Sequence, residues 1–561
     1  MRMNKHINLI LFLSCLVSFS FIQAQDLGGF KNQKPFEISG SFSLGASFYG
    51  TTRDNPYGSP FSYMINGAPT IAVYGIQIPI SVTYSNQQLS YAKPFQRYGA
   101  SPYYKWVKLH LGHRNLNFSP YAMTGQTFLG AGVELTPGKF KFLAFYGNFE
   151  NIFATRDPFE QNTILPETYK RKGFGLKVGY EGKNAGFDIS LLKIEDRSIS
   201  RDSLLTDTLF IKPKDNFVIS PSMRVTLFKK LTLQSTLAAS VLTHNKLARA
   251  GILDEDVVNR FTSILAVNQS TKIALAGDAS ADVRFDNYSI GVKYQRIEPL
   301  YESLGLYGIT NDFENYTVNA DVSLFKKIVN ISVSQGYQKN NLTSLRQVTD
   351  LRKIGSYNIN MSLKNGLNLN AQYSNFQSDQ EAGYVEINDT VRLALVSKNG
   401  SISSSYRWKQ KELQHSVSLF VSMQNFKDLN TLNQFSFNNH STSGGLNYRL
   451  NMKPIDLAMR MGLNYSAYES NAQLTNRIGV SVGGSKKLVD KKLRLNLGVS
   501  YQKSTVNQQN DGYVVRGHLG LSHKLDKQNT LSIRTSMIDR NSIIKEAFTD
   551  YRGSFSYTFR F

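Results

Sequence analysis

The chain of 561 residues holds one cysteine, two tryptophans, eight histidines and 15 prolines. A single cysteine, Cys15, excludes a disulfide framework and every metal site built from several cysteines. After Ile22 no apolar run reaches the roughly 18 residues that mark a membrane-spanning helix. The sequence has no G-x-S-x-G elbow, no P-loop and no H-E-x-x-H motif. His110 and His113 stand three apart on a predicted strand, hence on opposite faces, and make poor joint metal ligands. Basic residues are dispersed and belong to no nucleic-acid-binding module. These absences assign no catalytic residue, no metal and no cofactor, and nucleic acid is not an expected partner. An enzyme would need a Ser/His or Asp/His site assembled from distant strands, which spacing along the chain does not display.

What is abundant is aromatic and positive. The chain has 30 Tyr, 35 Phe and 41 Gly, with 64 Lys and Arg against 41 Asp and Glu. Residues 1–24 read as a secretory signal: Arg2 and Lys5, an apolar run from Ile7 to Ile22, and Ala24 at the cleavage position before Gln25. Cys15 lies inside that run. The alternative is a retained membrane anchor. Removing Arg2 and Lys5 leaves 62 basic residues (64 minus 2) against 41 acidic ones, a net charge of +21.

The remaining pattern is strict alternation. In Leu493-Arg494-Leu495-Asn496-Leu497-Gly498-Val499-Ser500-Tyr501 every odd position is apolar and every even one polar or small. Tyr316 to Leu324, Leu367 to Tyr373 and Val417 to Met423 repeat it. Side chains on a strand alternate faces, so each segment has one oily and one polar face. A soluble sandwich would alternate too. Here the polar positions are Asn, Gln, Ser, Thr, Lys and Arg from end to end, as a wet lumen requires, and connections alternate between short and long. Short turns such as Lys229-Lys230, Asp286-Asn287, Asn365-Gly366 and Lys453-Pro454 carry hairpin chemistry. Long polar connections fall at 154–171, 197–215, 246–271, 299–313, 341–352 and 378–397.

The expected fold is therefore all-β: a transmembrane antiparallel β-barrel of about 26 strands (24–26), with short periplasmic turns and long extracellular loops. Residues 25–35 form a short periplasmic segment and 36–561 the barrel. The count requires a strand at 89–97 followed by one at 101–113, because an even, closed barrel keeps both termini on one side.

The last strand, Gly553 to Phe561, ends on a phenylalanine carboxylate with Phe555, Tyr557, Phe559 and Phe561 on one face. This resembles the C-terminal assembly signal of outer-membrane β-barrel proteins, which the barrel-assembly machinery reads. The Ala-Gln junction, the Tyr/Phe/Asn/Lys-rich strands and the lysine turns resemble such proteins from Bacteroidetes. The resemblance implies the bacterial outer membrane, with its lipid and lipopolysaccharide, but no substrate. Gln25 to Pro35 leave no room for the N-terminal plug domain of a TonB-dependent transporter, nor for a periplasmic domain like that of the lipopolysaccharide-inserting barrels.

A barrel this wide needs something in its lumen. The segment 86–126 stands apart, with Pro94, Pro102 and Pro120, dense aromatics and Trp106. It is expected to fold partly inward, with Arg97, Lys105 and Arg114 lining a narrowing, or else to form an aromatic girdle with ordinary rim loops. At 249–265, Asp254, Glu255 and Asp256 precede Val258, Phe261, Ile264 and Leu265 at the start of an amphipathic turn. The positive surplus suits a basic lumen, lysines at the periplasmic rim or anionic head groups. Ser203, Thr208 and Thr390 sit in Asp-Ser/Thr-apolar triplets that resemble a Bacteroidetes O-glycosylation pattern. Two functions fit: a passive, loop-constricted channel or exporter for polar, anionic solutes, or a non-conducting scaffold or translocon subunit whose lumen a lipoprotein or periplasmic partner fills.

Overall fold

The computed structural model describes residues 34–56, 58–86, 97–149, 169–197, 212–249, 262–382, 392, 394–430, 438–470, 473–544 and 546–561. The signal, the glycosylation triplets, most of the segment predicted as a strand at 89–97, and residues 250–261 lie outside the described residues.

Alternation organises every wall strand. Along Phe36–Thr51 the exposed face carries Phe36, Ile38, Phe42, Leu44 and Phe48, while Ser41, Ser43 and Ser47 face the other way. Exposing such a row to water forgoes about 1.5–3 kcal/mol for each large side chain, so this face belongs in lipid. Phe140 and Tyr180 (5.6 Å) and Phe285 and Tyr288 (4.5 Å) meet near the short-turn rim, and Phe48 and Phe61 (5.2 Å) near the long-loop rim, forming two aromatic belts.

Strands pair antiparallel in sequence order, and the first pairs with the last, from Ser41 with Arg560 to Thr51 with Asp550. The main chains of Gly40 and Phe561 exchange hydrogen bonds of 3.0 and 3.2 Å. Closure leaves no edge of unpaired N–H and C=O groups, which hydrocarbon would not tolerate. Phe555, Tyr557 and Phe559 pair with Ala46, Leu44 and Phe42, placing the terminal aromatics on the lipid side.

The barrel has 26 strands. The fourth is placed differently from the sequence expectation. It consists of two pieces, Arg97–Ala100 and Tyr103–Tyr104, both laddered between Ile76–Ser85 and Val107–Asn115. Pro102 has no N–H to donate and interrupts the ladder. Lys105, in the left-handed region at φ 52°, then reverses the chain. What reads as one strand at 101–113 is thus the foot of one strand, a turn at Lys105-Trp106, and the next strand.

On the short-turn rim the twelve turns span two to four residues, and ten contain lysine. Much of the positive surplus is therefore periplasmic rim charge. Phe228 and Lys229 both adopt positive φ (53° and 58°), the handedness that matches strand twist in tight hairpins.

Candidate permeation pathway

The lumen has two unlike walls, and glycine creates the first. On Lys170–Glu181 the lipid face carries Phe174, Leu176 and Val178, so Gly173, Gly175 and Gly179 face inward. Across the ladder, Gly130, Gly132 and Gly147 also face inward. Missing side chains make room for rings: a Cβ at Gly175 would lie 2.5 Å from the Phe145 ring and 2.9 Å from Phe118. One at Gly147 would lie 2.6 Å from Phe128, and one at Gly173 3.0 Å from Phe149. Phe128, Phe145 and Phe149 pack with centroids 4.6 to 6.2 Å apart, and Phe118 joins Phe145 at 5.2 Å.

Two connections from the long-loop rim fold onto this wall. Leu116 to Gln126 brings Phe118 and Met123, 2% and 0% exposed, to the inner face. The Phe118 carbonyl accepts from Lys177 Nζ (2.7 Å) and Ser190 Oγ (3.1 Å), near the middle of the wall. Tyr121 donates to Asp278 (2.7 Å), and Ser119 Oγ meets Ser220 Oγ at 2.7 Å. The second connection, Glu298 to Asp312, lies over the first. Tyr301 donates to the Tyr121 carbonyl (2.8 Å), Ser303 donates to the Ala122 carbonyl (2.5 Å), and the Leu304 amide donates to Asn216 (3.1 Å). Gly305 sits where a Cβ would strike the Ala122 carbonyl and Leu192. Burial pushes the Tyr301 phenol well up, so it remains a neutral donor. A buried amide or hydroxyl without a partner costs about 1–3 kcal/mol, so these bonds make inward docking possible as much as the rings do.

The sequence-predicted trio is not brought together. Arg97 and Arg114 lie toward the long-loop end of neighbouring strands, and Lys105 is exposed at the opposite rim beside the Tyr104 ring. Arg114 is tied to the wall through Ser81 Oγ (2.8 Å) and the Ala100 carbonyl (3.4 Å). His110 and His113 point to opposite faces. His113 stacks edge-on to lipid-facing Tyr98, while His110 lies inside, with Nδ1 3.3 Å from Ser101 Oγ and Nε2 3.4 Å from Glu134. Among the described residues, the two backbone positions at the serine end of this Ser-His-Glu line offer no free amide to an oxyanion. The Ser101 amide is committed to the Pro79 carbonyl at 2.9 Å, and Pro102 has none. The line links the broken strand to the next two strands.

The second wall is polar and open. Asn358, Asn360, Asn370, Gln372 and Ser374 share its inner face. Further along, the inner face turns cationic: Arg449 sits opposite Arg460, and Arg494, Arg516, His518 and Arg534 occupy the next strands. Among the described residues, none of Arg449, Arg460, Arg494 and Arg534 forms an ion pair. Asp456, in the adjoining short turn, is engaged by Lys487 and Lys491 (3.8 and 3.6 Å). A lumenal cavity of about 1180 Å³ opens along Arg460, Arg494 and Arg534. Lys487, Lys491, Lys492 and Lys524 border the same cavity toward the short-turn rim, and the arginines further in carry planar forks that hold an orientation. Neither this wall nor the 298–312 connection stands out in the sequence, because its arginines occupy ordinary polar positions of alternating strands.

No family model and no curated protein matches this chain. Solved structures do, all at low identity. The P pilus usher (PapC) translocation pore is 11% identical, with 93% of this chain covering 98% of that one at a TM-score of 0.37. Acinetobacter baumannii OccAB2 is 9% identical over 62% of this chain and 93% of its own, at 0.29. Pseudomonas aeruginosa OccK2 (OpdF), solved in complex with glucuronate, is 10% identical over 70% and 92%, at 0.28. The present chain has a closed antiparallel β-barrel fold of 26 strands.

Proposed function

We propose that this chain is a passive outer-membrane channel for polar, anionic solutes, narrowed by its own inward segments. The observation that carries the reading is the row of unneutralised arginines on the wall the inward segments leave uncovered. In a water-filled bore bounded by protein and lipid, such a row raises local anion concentration and repels cations. Arg97 and Arg114 add positive potential to the long-loop end of the same interior. The signal at 1–24 would export the chain, and Phe555, Tyr557, Phe559 and Phe561 would present it to the barrel-assembly machinery for insertion among lipid and lipopolysaccharide.

The test is a planar-bilayer recording across a potassium chloride gradient. The expected reversal potential is that of an anion-preferring pore, moving toward cation preference in Arg460→Glu/Arg494→Glu. A silent or cation-preferring wild type would refute the proposal. The lysine-rich periplasmic rim favours one second reading, a scaffold or translocon subunit carrying an acidic lipoprotein or periplasmic partner. A lumen too wide to stand empty would also suit a partner, but here 116–126 and 298–312 occupy part of it.

A further inference from the structure

The arginine wall contains a built site. Arg449 and Arg460 are direct cross-strand neighbours, and like charges so placed repel, a cost that a structural role does not explain. Glycines on the adjoining strands set how the cations lie. A Cβ at Gly483 would lie 2.7 Å from Arg460 Nε, so the guanidinium stem rests on bare backbone. Gly498 does the same for His518, whose ring occupies the space a Cβ would take. Laid flat, the two meet: Arg460 Nη2 lies 3.2 Å from His518 Nε2 and donates to it. Arg494 and Arg534 border the same cavity, over a floor where Ser532 Oγ donates to Ser522 Oγ at 3.0 Å.

We infer that Arg449, Arg460, Arg494 and Arg534 form a binding site for a multivalent oxyanion, a solute carrying two or more phosphate or carboxylate groups, along the inner wall of the channel. This rests on the channel reading and names the class of solute it holds. Three features support multivalency. Guanidinium forks bind oxyanions bidentately. Arg460, Arg494 and Arg534 come from separate strands and converge on one cavity of about 1180 Å³, too large for a chloride ion alone, and Arg449 borders an adjoining cavity of about 260 Å³ together with Arg460 and Arg494. The serine hydroxyls beneath them supply neutral donors without compensating charge. Gly483 and Gly498 are positioning residues: they leave room for Arg460 and His518 to lie against the wall.

The test uses the full chain, with inorganic pyrophosphate and citrate as probes and chloride as reference. Pyrophosphate is expected to interrupt single-channel current at a concentration at least tenfold below that at which chloride alters it. Arg460→Ala and Arg534→Ala should each raise the blocking concentration about tenfold. Gly498→Ala should raise it too while heat-modifiable migration and far-ultraviolet circular dichroism stay at wild type, a split that mere loss of folding would not produce. Calorimetric titration of pyrophosphate into detergent-purified protein separates this inference from the channel proposal. Binding that Arg460→Ala abolishes, in a chain that does not conduct, would sustain the site and overturn the channel. Anion-preferring conductance with no pyrophosphate or citrate binding, or binding unchanged by Arg460→Ala and Arg534→Ala, would overturn the site and leave the channel standing.

Discussion

Gly175 and the nearby Lys177 both seat the first inward segment, one by making room and the other by bonding the Phe118 carbonyl. The missing Cβ of Gly175 admits the rings of Phe118 and Phe145, and overpacking a site so filled costs about 1–3 kcal/mol. Gly175→Val should therefore release 116–126 from the wall while the lipid-facing ladder survives. Larger unitary conductance with unchanged heat-modifiable migration is the expected pair of results; unchanged conductance would show that the segment docks without that seat. Asp526 illustrates a different local effect. The Asn529 side chain (2.8 Å) and the amides of Asn529 (2.6 Å) and Gln528 (2.7 Å) donate to its carboxylate and hold it below the usual aspartate range. A depressed folded value means that its contribution to turn stability is fully present above the ordinary aspartate pKa and disappears as pH falls through the lowered one. Carbonyl chemical shifts of selectively labelled chain should give a midpoint below that of free aspartate, and a midpoint at or above it would sink the assignment.

Elements were legible to the extent that alternation is local. Strands such as Leu493–Val506 and Phe548–Arg560 emerge from period-two patterning alone. The fourth strand did not, because its aromatics at 103 and 104 continue the pattern across a proline break, and Lys105-Trp106 lacks the usual turn residues. The inward connections were half legible. The prolines and aromatics of 86–126 mark it as unlike the wall, whereas 298–312 reads as one more polar loop. Their pairing is a tertiary fact, made by Tyr301, Ser303 and Leu304 meeting residues more than 80 positions away. Replacing 300–310 with a short Gly/Ser linker should free the cluster that packs beneath it. The expected readout is higher conductance and new protease sensitivity within 116–126; retained protection there would mean that the first segment docks unaided.

At the scale of the whole barrel, selectivity should track electrostatic range. The screening length falls from about 10 Å at 0.1 M salt to about 3 Å at 1 M. A bore lined on one side by arginines should lose much of its anion preference over that interval. Reversal potentials measured under the same gradient ratio at both salt levels check this, and a preference that persists undiminished would point to contact binding instead of long-range potential.

Sequence alone determined the strands of the barrel: a lipid face and a wet face from period-two alternation, and a lysine-bearing short-turn rim, because each depends on residues within a few positions of one another. Tertiary structure alone decided which inward glycines receive rings, which loops turn into the lumen, and which arginines share a cavity. Those outcomes depend on register between strands and on loops crossing the bore. An arginine on an alternating strand reads the same whether it meets a carboxylate, a loop or open water.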